Sequence, residues 1–298
     1  MAGIGEYAAV ARAPFLLLPP TLVASGAAAA AWNGSFSWLH TLLAMAGLVV
    51  LHMAVNILNE WSDMRTGIDL QTERTPFSGG SGTLPAGGMS QRSALIYGVV
   101  CSAIGLVIGL WFFARFGWIL LPIFVAGAIS VLAYTDFLAR IGIGEIAAGF
   151  GLGLGPVIGA ALVQDGRWST AAVAASIPAF FMTFNLLLLN EFPDEEADRT
   201  GGRKNLVLLF GRTRAAWVYA IAALAVPASL VVAVVIGVLP LLALVALLPS
   251  LLLAKPLQWV FADPSQPVPI PALGANVIWN LTTNSLIAIT LVIAIALR

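Results

Sequence analysis

The sequence predicts an all-α membrane protein with nine transmembrane helices, and its composition and hydropathy both point to this class. Of the 298 residues, 60% are hydrophobic and only 9% are charged, whereas soluble domains carry about 25% charged residues. The mean hydropathy is +0.96. So few charges cannot cover the water-facing surface of a chain of this length, and we therefore expect the protein to lie in a lipid bilayer.

Nine apolar runs reach the length of about 20 residues that a membrane-spanning helix needs. The first run contains Pro19 and Pro20, and the seventh and eighth are separated only by residues 237–240. The N-terminus lacks the form of a cleavable signal, so the first run is interpreted as a membrane helix. The predicted spans are residues 13–32, 38–61, 93–113, 117–135, 145–164, 169–190, 213–237, 239–260 and 276–297.

We expect one integral-membrane domain, residues 1–298, whose longer polar connections lie on one side of the membrane. Nine passes place these connections on the same side as the N-terminus, together with eleven of the 14 Lys and Arg residues. Because cytoplasmic loops are enriched in Lys and Arg, this side is predicted to face the cytoplasm, in the cytoplasmic membrane of a prokaryote. The connections are residues 62–92, 136–144, 191–212 and 261–275.

The acidic residues share this side. Of the 14 Asp and Glu residues, only Asp165 falls on the other side. Membrane topology does not require this, because Asp and Glu contribute little to orientation. We therefore expect the carboxylates to have a chemical role. The formal net charge of zero leaves no basic footprint for a nucleic acid, and a single cysteine excludes an internal disulfide.

The first acidic cluster reads NILNEWSDMRTGIDLQTER, residues 56–74. Asn56, Asn59 and Asp63 are spaced i, i+3, i+7, which places them on one face of a helix. Gly67 is expected to close this helix as a C-cap, and Asp69 follows it. The pattern predicts a stripe of oxygen ligands at the end of the second membrane helix.

The second acidic cluster reads NEFPDEEADRTGGRKN, residues 190–205. Glu191, Asp194 and Asp198 have the same i, i+3, i+7 spacing. Pro193 interrupts the sixth helix or restarts a short one, so Asp194 and Asp198 are predicted to share a face of the restarted turn.

The two clusters together predict a site for a divalent cation and a diphosphate. Carboxylates on one helical face repel each other and favour a bound cation, and hard oxygen ligands select Mg²⁺ or Ca²⁺. Mg²⁺ typically combines one or two carboxylates with phosphate oxygens. The alternative is that juxtamembrane loops simply collect charges, which is our interpretation of isolated residues such as Arg12. Basic residues beside the clusters, suited to an anion, are Arg65, Arg74, Arg140, Arg199, Arg203 and Lys204.

These residues resemble the two aspartate-rich motifs of UbiA-type membrane prenyltransferases, which have the forms N-D-x-x-D and D-x-x-D-x-x-x-D. Here the motifs stand as NEWSD, residues 59–63, and EFPDEEAD, residues 191–198, with Glu60 and Glu191 in place of Asp. The continuation DMRTGID, residues 63–69, resembles that of naphthoate polyprenyltransferases. Further resemblance lies in IGIGEIAAGFGLGLGP, residues 141–156, and GGRKNLVLLFGR, residues 201–212.

The resemblance implies a fold of nine helices around a central cavity, and an enzyme that uses two or more Mg²⁺ ions to bind an isoprenyl diphosphate. It implies transfer of the polyprenyl group to an aromatic acceptor, as in menaquinone-like quinone biosynthesis. A terpene cyclase of the same family stays open as an alternative, and a transporter is disfavoured because the acids lie at one face rather than at the midplane. The implied metal ligands are Asn59, Asp63, Asp69, Glu191, Asp194 and Asp198. The implied catalytic residues are Asp63, Asp194, Asp198 and Tyr134. The implied diphosphate ligands are Arg65, Arg74, Arg140, Arg203 and Lys204.

An acceptor pocket is expected deeper among the helices, where intramembrane polar residues face the bundle interior. For the asparagines of the ninth helix, interhelical hydrogen bonding is the favoured alternative, and for Glu145 capping of a helix is an equal one. The glycine-rich stretch at residues 78–88 is a candidate lid. The acceptor, the prenyl chain length and the oligomeric state stay open. The candidate acceptor-pocket residues are His52, Asn56, Glu145, Asn280 and Asn284.

Overall fold

The computed structural model describes residues 2–70, 74–132 and 137–298, and within these ranges it contains helices and loops but no β-strand. The predicted all-α class is confirmed. The helices are α1 Ile4–Val10, α2 Leu18–Trp32, α3 Trp38–Thr66, α4 Gln91–Phe116, α5 Leu121–Leu132, α6 Ala139–Ile141, α7 Gly144–Gly149, α8 Gly155–Asp165, α9 Thr170–Glu191, α10 Glu195–Thr200, α11 Leu206–Phe210, α12 Arg212–Val235, α13 Ala254–Ala262 and α14 Ile270–Ala296. Helical turns of the 3-10 type cover Ala13–Leu17, Ile68–Leu70, Gly117–Leu120 and Leu241–Leu253, and a π-helical turn covers Phe150–Leu154.

In the described part of the chain, eight segments are long and apolar enough to cross a membrane. One of them, Gln91–Val131, has 41 residues and would be about 60 Å long if straight, twice the hydrocarbon thickness. It is not straight, because Gly117 ends α4 with a φ of 69°. A Cβ on Gly109 would lie 2.8 Å from the Phe124 ring, a contact that requires the chain to reverse. Counting this hairpin as two passes gives the nine passes that the sequence predicts.

Helix α3 begins and ends at residues with capping chemistry. The Ser37 side chain accepts a hydrogen bond from the backbone N–H of His40, and Gly67 adopts the left-handed conformation at the C-cap, with a φ of 83°. The helix continues past the predicted boundary at residue 61 to Thr66. The apolar run stops earlier than the helix because the last turns carry polar side chains into the site.

The N-terminal segment and the four polar connections meet at one end of the helix bundle, as predicted. Hydrogen bonds join the N-terminal segment to the first connection, the second connection to the third, and the third to the fourth. They run from Arg12 to the Phe77 carbonyl, from the Lys204 N–H to the Ala139 carbonyl, and from Arg212 to the Gln266 carbonyl. The chemistry-bearing loops therefore surround one mouth of the bundle.

Small residues let the central helices approach closely. A Cβ on Gly26 of α2 would lie 2.2 Å from the Val157 carbonyl oxygen, and one on Gly153 would lie 2.6 Å from the Ala179 carbonyl oxygen. Both glycines therefore stand where two helical segments touch through their backbones. The π-helical turn there is a local break, and its Leu152 carbonyl accepts a 2.6 Å hydrogen bond from the Thr183 hydroxyl.

Candidate active site

A cavity of about 660 Å³ runs from the cluster of loops into the bundle. On α3 it is lined by residues of one stripe, including Leu48, Leu51, Val55, Asn59 and Asp63. Asp63 and Leu48 are 15 residues apart, which corresponds to about 22 Å along the helix axis. The cavity is therefore deep, with carboxylates at the mouth and aliphatic side chains further in.

The first acidic cluster forms one wall of the mouth. The Asn59 side-chain amide donates a 2.9 Å hydrogen bond to Asp63 Oδ2. Asp69 lies on the 3-10 turn after Gly67, where it is 3% exposed. Its Oδ2 atom is buried and has no hydrogen-bond partner. All three of these side chains line the cavity.

The second acidic cluster forms the opposite wall. Helix α9 ends at Glu191, and Asp194 precedes α10 as its N-cap residue, so Pro193 restarts a short helix as predicted. Glu191, Asp194 and Asp198 all line the cavity. Glu191 Oε2 and Asp194 Oδ1 are buried atoms without a hydrogen-bond partner. Both sets of carboxylates thus line one mouth, the first from a continuous helix and the second from either side of a helix break.

Arg203 connects the two walls. Its guanidinium pairs with Asp63 and donates a 3.1 Å hydrogen bond to Asn59 Oδ1 in the first cluster, and it donates a 3.1 Å hydrogen bond to Asp198 Oδ1 in the second. The Asn205 amide donates 2.9 Å to the other Asp198 oxygen. One cation therefore links residues that are far apart in the sequence.

The surroundings of the carboxyl groups at the mouth disfavour their ionised form. Burial raises the pKa of Asp69 to about 7, and the nearby charges of Asp63 and Glu60 add to this effect. Burial also raises the pKa of Asp194 to about 7, with Asp198 adding to the shift and Arg203 opposing it. A bound divalent cation would reverse this balance, because it favours the ionised carboxylates.

The donor set at the mouth fits a hard cation. The unpartnered oxygens belong to Asp69, Glu191 and Asp194, and carboxylate oxygens are the ligands that Mg²⁺ prefers. Among the residues that the structure describes, no three His, Cys, Asp or Glu side chains converge closely enough to hold an ion by themselves. The residues therefore fit an ion that completes its coordination with ligand oxygens or water, as Mg²⁺ does beside phosphates.

The predicted diphosphate ligands divide into two groups. Arg203 and Lys204 line the cavity. Arg65 is exposed and lies over the Trp61 ring, 4.7 Å from its centroid. Arg74 is exposed and donates a 2.8 Å hydrogen bond to the backbone carbonyl of Asp69.

Arg140 is half-buried and does not line the cavity either. Ring and backbone groups near Arg65 and Arg74 hold these two side chains away from the cavity lining. The role of the three arginines as diphosphate ligands stays a prediction. Tyr134, the predicted catalytic tyrosine, lies outside the described residues.

Arg12 is a residue of the mouth that sequence reasoning missed. It lines the cavity, donates a 3.3 Å hydrogen bond to the Phe77 carbonyl and lies over the Phe15 ring. Its charge opposes the rise in the pKa of Asp194 that burial causes. It is the non-glycine residue with positive φ, 54°, in the described chain, a conformation that carries strain and occurs often at functional sites. An isolated arginine before the first span offered no sequence signal for this placement.

The candidate acceptor-pocket residues are also divided. His52, Asn56 and Asn280 line the cavity. Asn284 does not, and its amide donates a 2.8 Å hydrogen bond to Asn280 Oδ1. Glu145, in the first turn of α7, does not line the cavity. Its Oε1 atom accepts a 2.6 Å hydrogen bond from the first backbone N–H of α11, so Glu145 caps a different helix from the one that it opens.

The glycine-rich stretch at residues 78–88 is attached to the first cluster. Glu60 is fully buried, and its two oxygens accept 2.6 Å hydrogen bonds from the backbone N–H and the hydroxyl of Ser81. Gly79 and Gly80 line the cavity. The candidate lid is thus anchored over the mouth, and Glu60 serves as its anchor.

Comparisons with known proteins agree with this architecture. The chain is 28% identical over 170 residues to the 1,4-dihydroxy-2-naphthoate octaprenyltransferase of Bacillus subtilis (strain 168), a match that covers 54% of this chain and 51% of that protein. It is 31% identical over 143 residues to the digeranylgeranylglyceryl phosphate synthase of Thermococcus kodakarensis, covering 47% of this chain and 49% of that protein. The chain thus spans about half the length of the curated relatives it matches.

Solved structures show the same fold along nearly the whole chain. A UbiA homologue from Aeropyrum pernix K1 in its apo form superimposes with a TM-score of 0.70 at 19% identity, covering 99% of both chains. A UbiA homologue from Archaeoglobus fulgidus bound to GPP and Mg²⁺ gives 0.68 at 16% identity, covering 98% of this chain and 99% of the other. The model of the UbiA prenyltransferase family matches residues 17–281. With its long apolar helices and this match, the chain is an integral membrane protein that belongs to the UbiA prenyltransferase family.

Proposed function

We propose that the protein is a Mg²⁺-dependent prenyltransferase that transfers a polyprenyl group from an isoprenyl diphosphate to an aromatic acceptor. The reaction would serve menaquinone-like quinone synthesis or a related prenyl-lipid pathway. The observation that carries the proposal is the pair of carboxylate walls at the mouth of a deep apolar cavity. The surplus of Lys and Arg on the same side supports a site that faces the cytoplasm from a prokaryotic cytoplasmic membrane.

The proposed metal ligands are the oxygen-bearing side chains of the two walls. Bound Mg²⁺, two or more ions in our proposal, neutralises negative charge on the diphosphate leaving group. Arg203, Lys204 and Arg12 are the cavity-lining cations, and they would donate charge-assisted hydrogen bonds to diphosphate oxygens. The ligands are Asn59 and the carboxylates Asp63, Asp69, Glu191, Asp194 and Asp198.

The deeper cavity would hold the polyprenyl tail and exclude water. Its aliphatic wall along α3 extends about 22 Å below Asp63, and a dry site protects a reactive cation from hydrolysis. The C1–O bond of the diphosphate breaks, and its electron pair leaves with the diphosphate. An acceptor carbon then forms the new bond to C1, and the displaced ring proton passes to a diphosphate oxygen. His52, Asn56 and Asn280 are among the polar side chains that line the cavity, and they would orient the acceptor.

The test uses the full chain, purified in detergent or nanodiscs, with a labelled prenyl diphosphate and a panel of acceptors. The panel contains dihydroxynaphthoate, hydroxybenzoate, homogentisate and a glyceryl phosphate lipid. The lipid is included because the chain is similar to a digeranylgeranylglyceryl phosphate synthase. We expect a prenylated aromatic product with Mg²⁺ and none with EDTA. Prenylation of the glyceryl lipid alone would contradict the aromatic acceptor. A cyclised hydrocarbon without any acceptor would contradict transfer, and no release of diphosphate would overturn the proposal as a whole.

A further inference from the structure

Arg203 occupies oxygens of half of the proposed metal ligands. Its guanidinium pairs with Asp63 and Asp198 and bonds to Asn59, three of the six proposed ligands. An oxygen that faces a guanidinium at hydrogen-bond distance cannot also face a divalent cation without repulsion between the two positive charges. Arg203 and a metal ion therefore compete for one set of ligands.

The pairing is sheltered from water. The Arg203 side chain is 18% exposed, and the paired side chains of Asp63 and Asp198 are 8% and 4% exposed. Charge-assisted hydrogen bonds at such positions are stronger than exposed ones, and removal of one partner leaves an uncompensated buried charge. Arg203 thus opposes entry of an isolated cation more strongly than a surface arginine would.

The backbone around Arg203 is fixed, so an exchange of partners must come from its side chain. Gly201 packs against Ile68 so closely that a Cβ would lie 2.1 Å from the isoleucine side chain. The Arg203 N–H donates 2.9 Å to the Asp198 carbonyl, and the Lys204 N–H donates 2.8 Å to the Ala139 carbonyl. The long arginine side chain can turn from carboxylates to a diphosphate in the same cavity while these anchors stay in place.

We infer that Arg203 is an internal counter-cation that makes binding of Mg²⁺ conditional on a diphosphate. The diphosphate offers the guanidinium new oxygen partners, and the released carboxylates then bind the metal. Ion and diphosphate therefore bind as a cooperative pair, and each binds weakly alone. This inference rests on the proposed function, because it assumes that the two carboxylate walls hold the ion.

The experiment measures binding of Mn²⁺ alone to the full chain in neutral detergent, by the electron paramagnetic resonance signal of free Mn²⁺. We expect Arg203→Gln to bind Mn²⁺ about tenfold more tightly than the unmodified protein, within the range of typical coupling between two sites. Arg199→Gln is the matched control, since Arg199 is 59% exposed, pairs with Glu195 and Glu196, and does not line the cavity. The control should bind Mn²⁺ like the unmodified protein.

Thermal unfolding with Mg²⁺ and inorganic diphosphate, added singly and together, provides the second readout. In the unmodified protein the joint rise in Tm should exceed the sum of the single effects, and Arg203→Gln should lose this excess. If Arg203→Gln does not fold, Arg203→Lys is the replacement variant, because lysine keeps the charge but lacks the planar guanidinium. Its gain in Mn²⁺ affinity over the unmodified protein should be less than tenfold. Equal Mn²⁺ affinity in all folded variants overturns the inference.

The same measurements separate this inference from the proposed function. If the unmodified protein binds Mg²⁺ with diphosphate, and Asp194→Asn abolishes that binding, the proposed metal site is supported. This conclusion does not depend on the result for Arg203→Gln. If the unmodified protein shows no joint stabilisation by Mg²⁺ and diphosphate, the metal site itself is wrong, and the inference falls with it.

Discussion

The pentapeptides NEWSD at residues 59–63 and NEFPD at residues 190–194 are nearly identical in sequence but use different backbones. NEWSD lies within the unbroken helix α3, which continues to Thr66. NEFPD spans the end of α9 at Glu191, and Pro193 precedes the new helix α10. A continuous helix and a broken one thus deliver carboxylates to the same mouth, so the shared pattern reflects the chemistry and not a shared local structure.

The glutamates at the second position of each pentapeptide serve different purposes. Glu60 is fully buried, does not line the cavity and anchors Ser81 of the glycine-rich connection. Glu191 lines the cavity and keeps one oxygen without a partner. The two glutamates stand at equivalent positions of the motif but differ in role, because Glu60 anchors a loop and Glu191 is a proposed metal ligand.

The aromatic residues at the third position have a common use. Arg65 lies over the Trp61 ring at 4.7 Å, and Arg212 lies over the Phe192 ring at 5.3 Å. Phe192 is 2% exposed and also makes an edge contact with Trp259, whereas Trp61 is half-buried. Each aromatic supports an arginine beside the carboxylates, and the second does so from within the core.

The largest expected effect is loss of a carboxylate from either wall. Asp63→Ala and Asp194→Ala should each lower turnover on the order of 1,000-fold, the scale for removing one group that stabilises charge in the transition state. The measurement is release of diphosphate, with Tm confirming the fold. Asp165→Ala is the control, because Asp165 is exposed and bonds to Ser35 at the other end of the bundle. Full activity in either wall variant would refute the metal assignment.

The next effect distinguishes the two glutamates. Glu191→Gln should raise the Mg²⁺ concentration that gives half-maximal turnover by about 10- to 100-fold, the range for residues that support a metal site. Glu60→Gln should change it much less, because the glutamine oxygen can still accept from the Ser81 N–H. Titration of turnover against Mg²⁺ provides the measurement, and equal shifts in both variants would show that Glu60 and Glu191 do not differ in role.

The aromatic residues should differ in stability rather than in catalysis. Phe192→Ala should lower the free energy of unfolding by about 3–5 kcal/mol, as is typical for a buried aromatic residue. Trp61→Ala should cost less because Trp61 is only half-buried. Unfolding in detergent measures both, with Phe192→Leu as the milder control. A larger loss for Trp61→Ala would reverse the assignment of Phe192 to the core.

The smallest expected effect is at Arg65. A cation over an exposed ring contributes about 0.5–1 kcal/mol, so Arg65→Gln should lower stability by no more than this amount. Its effect on turnover should be far smaller than that of Arg203→Gln, since Arg65 does not line the cavity. Comparison of the two variants in one turnover assay checks this, and a similar loss in both would restore Arg65 to the diphosphate site.

The helical spacing of the acidic residues carried most of the site prediction. Asn56, Asn59 and Asp63 line one stripe of α3 because residues at i, i+3 and i+7 face the same way on any helix. Gly67 ends this helix in the left-handed conformation, which glycine adopts without a steric penalty. Such features depend on neighbours within a few residues, and they are therefore visible in the sequence.

The basic residues were harder to place from sequence. Arg65 and Arg203 both stand beside an acidic motif, yet Arg65 lies over the half-buried Trp61 ring and Arg203 bridges two carboxylates. A long side chain can reach many partners, and its choice depends on which loops pack nearby. Arg12 shows the same limit, because its partner Phe77 belongs to a different connection.

The sequence by itself determined the membrane class, the apolar spans of the described chain and the acidic faces, since hydropathy and helical periodicity are local properties of the chain. The tertiary structure alone decided that Glu60 anchors a loop, that Arg12 enters the mouth, and that Arg203 joins the two walls. These outcomes depend on contacts between segments that are distant in the sequence, where burial and charge pairing select one partner among several.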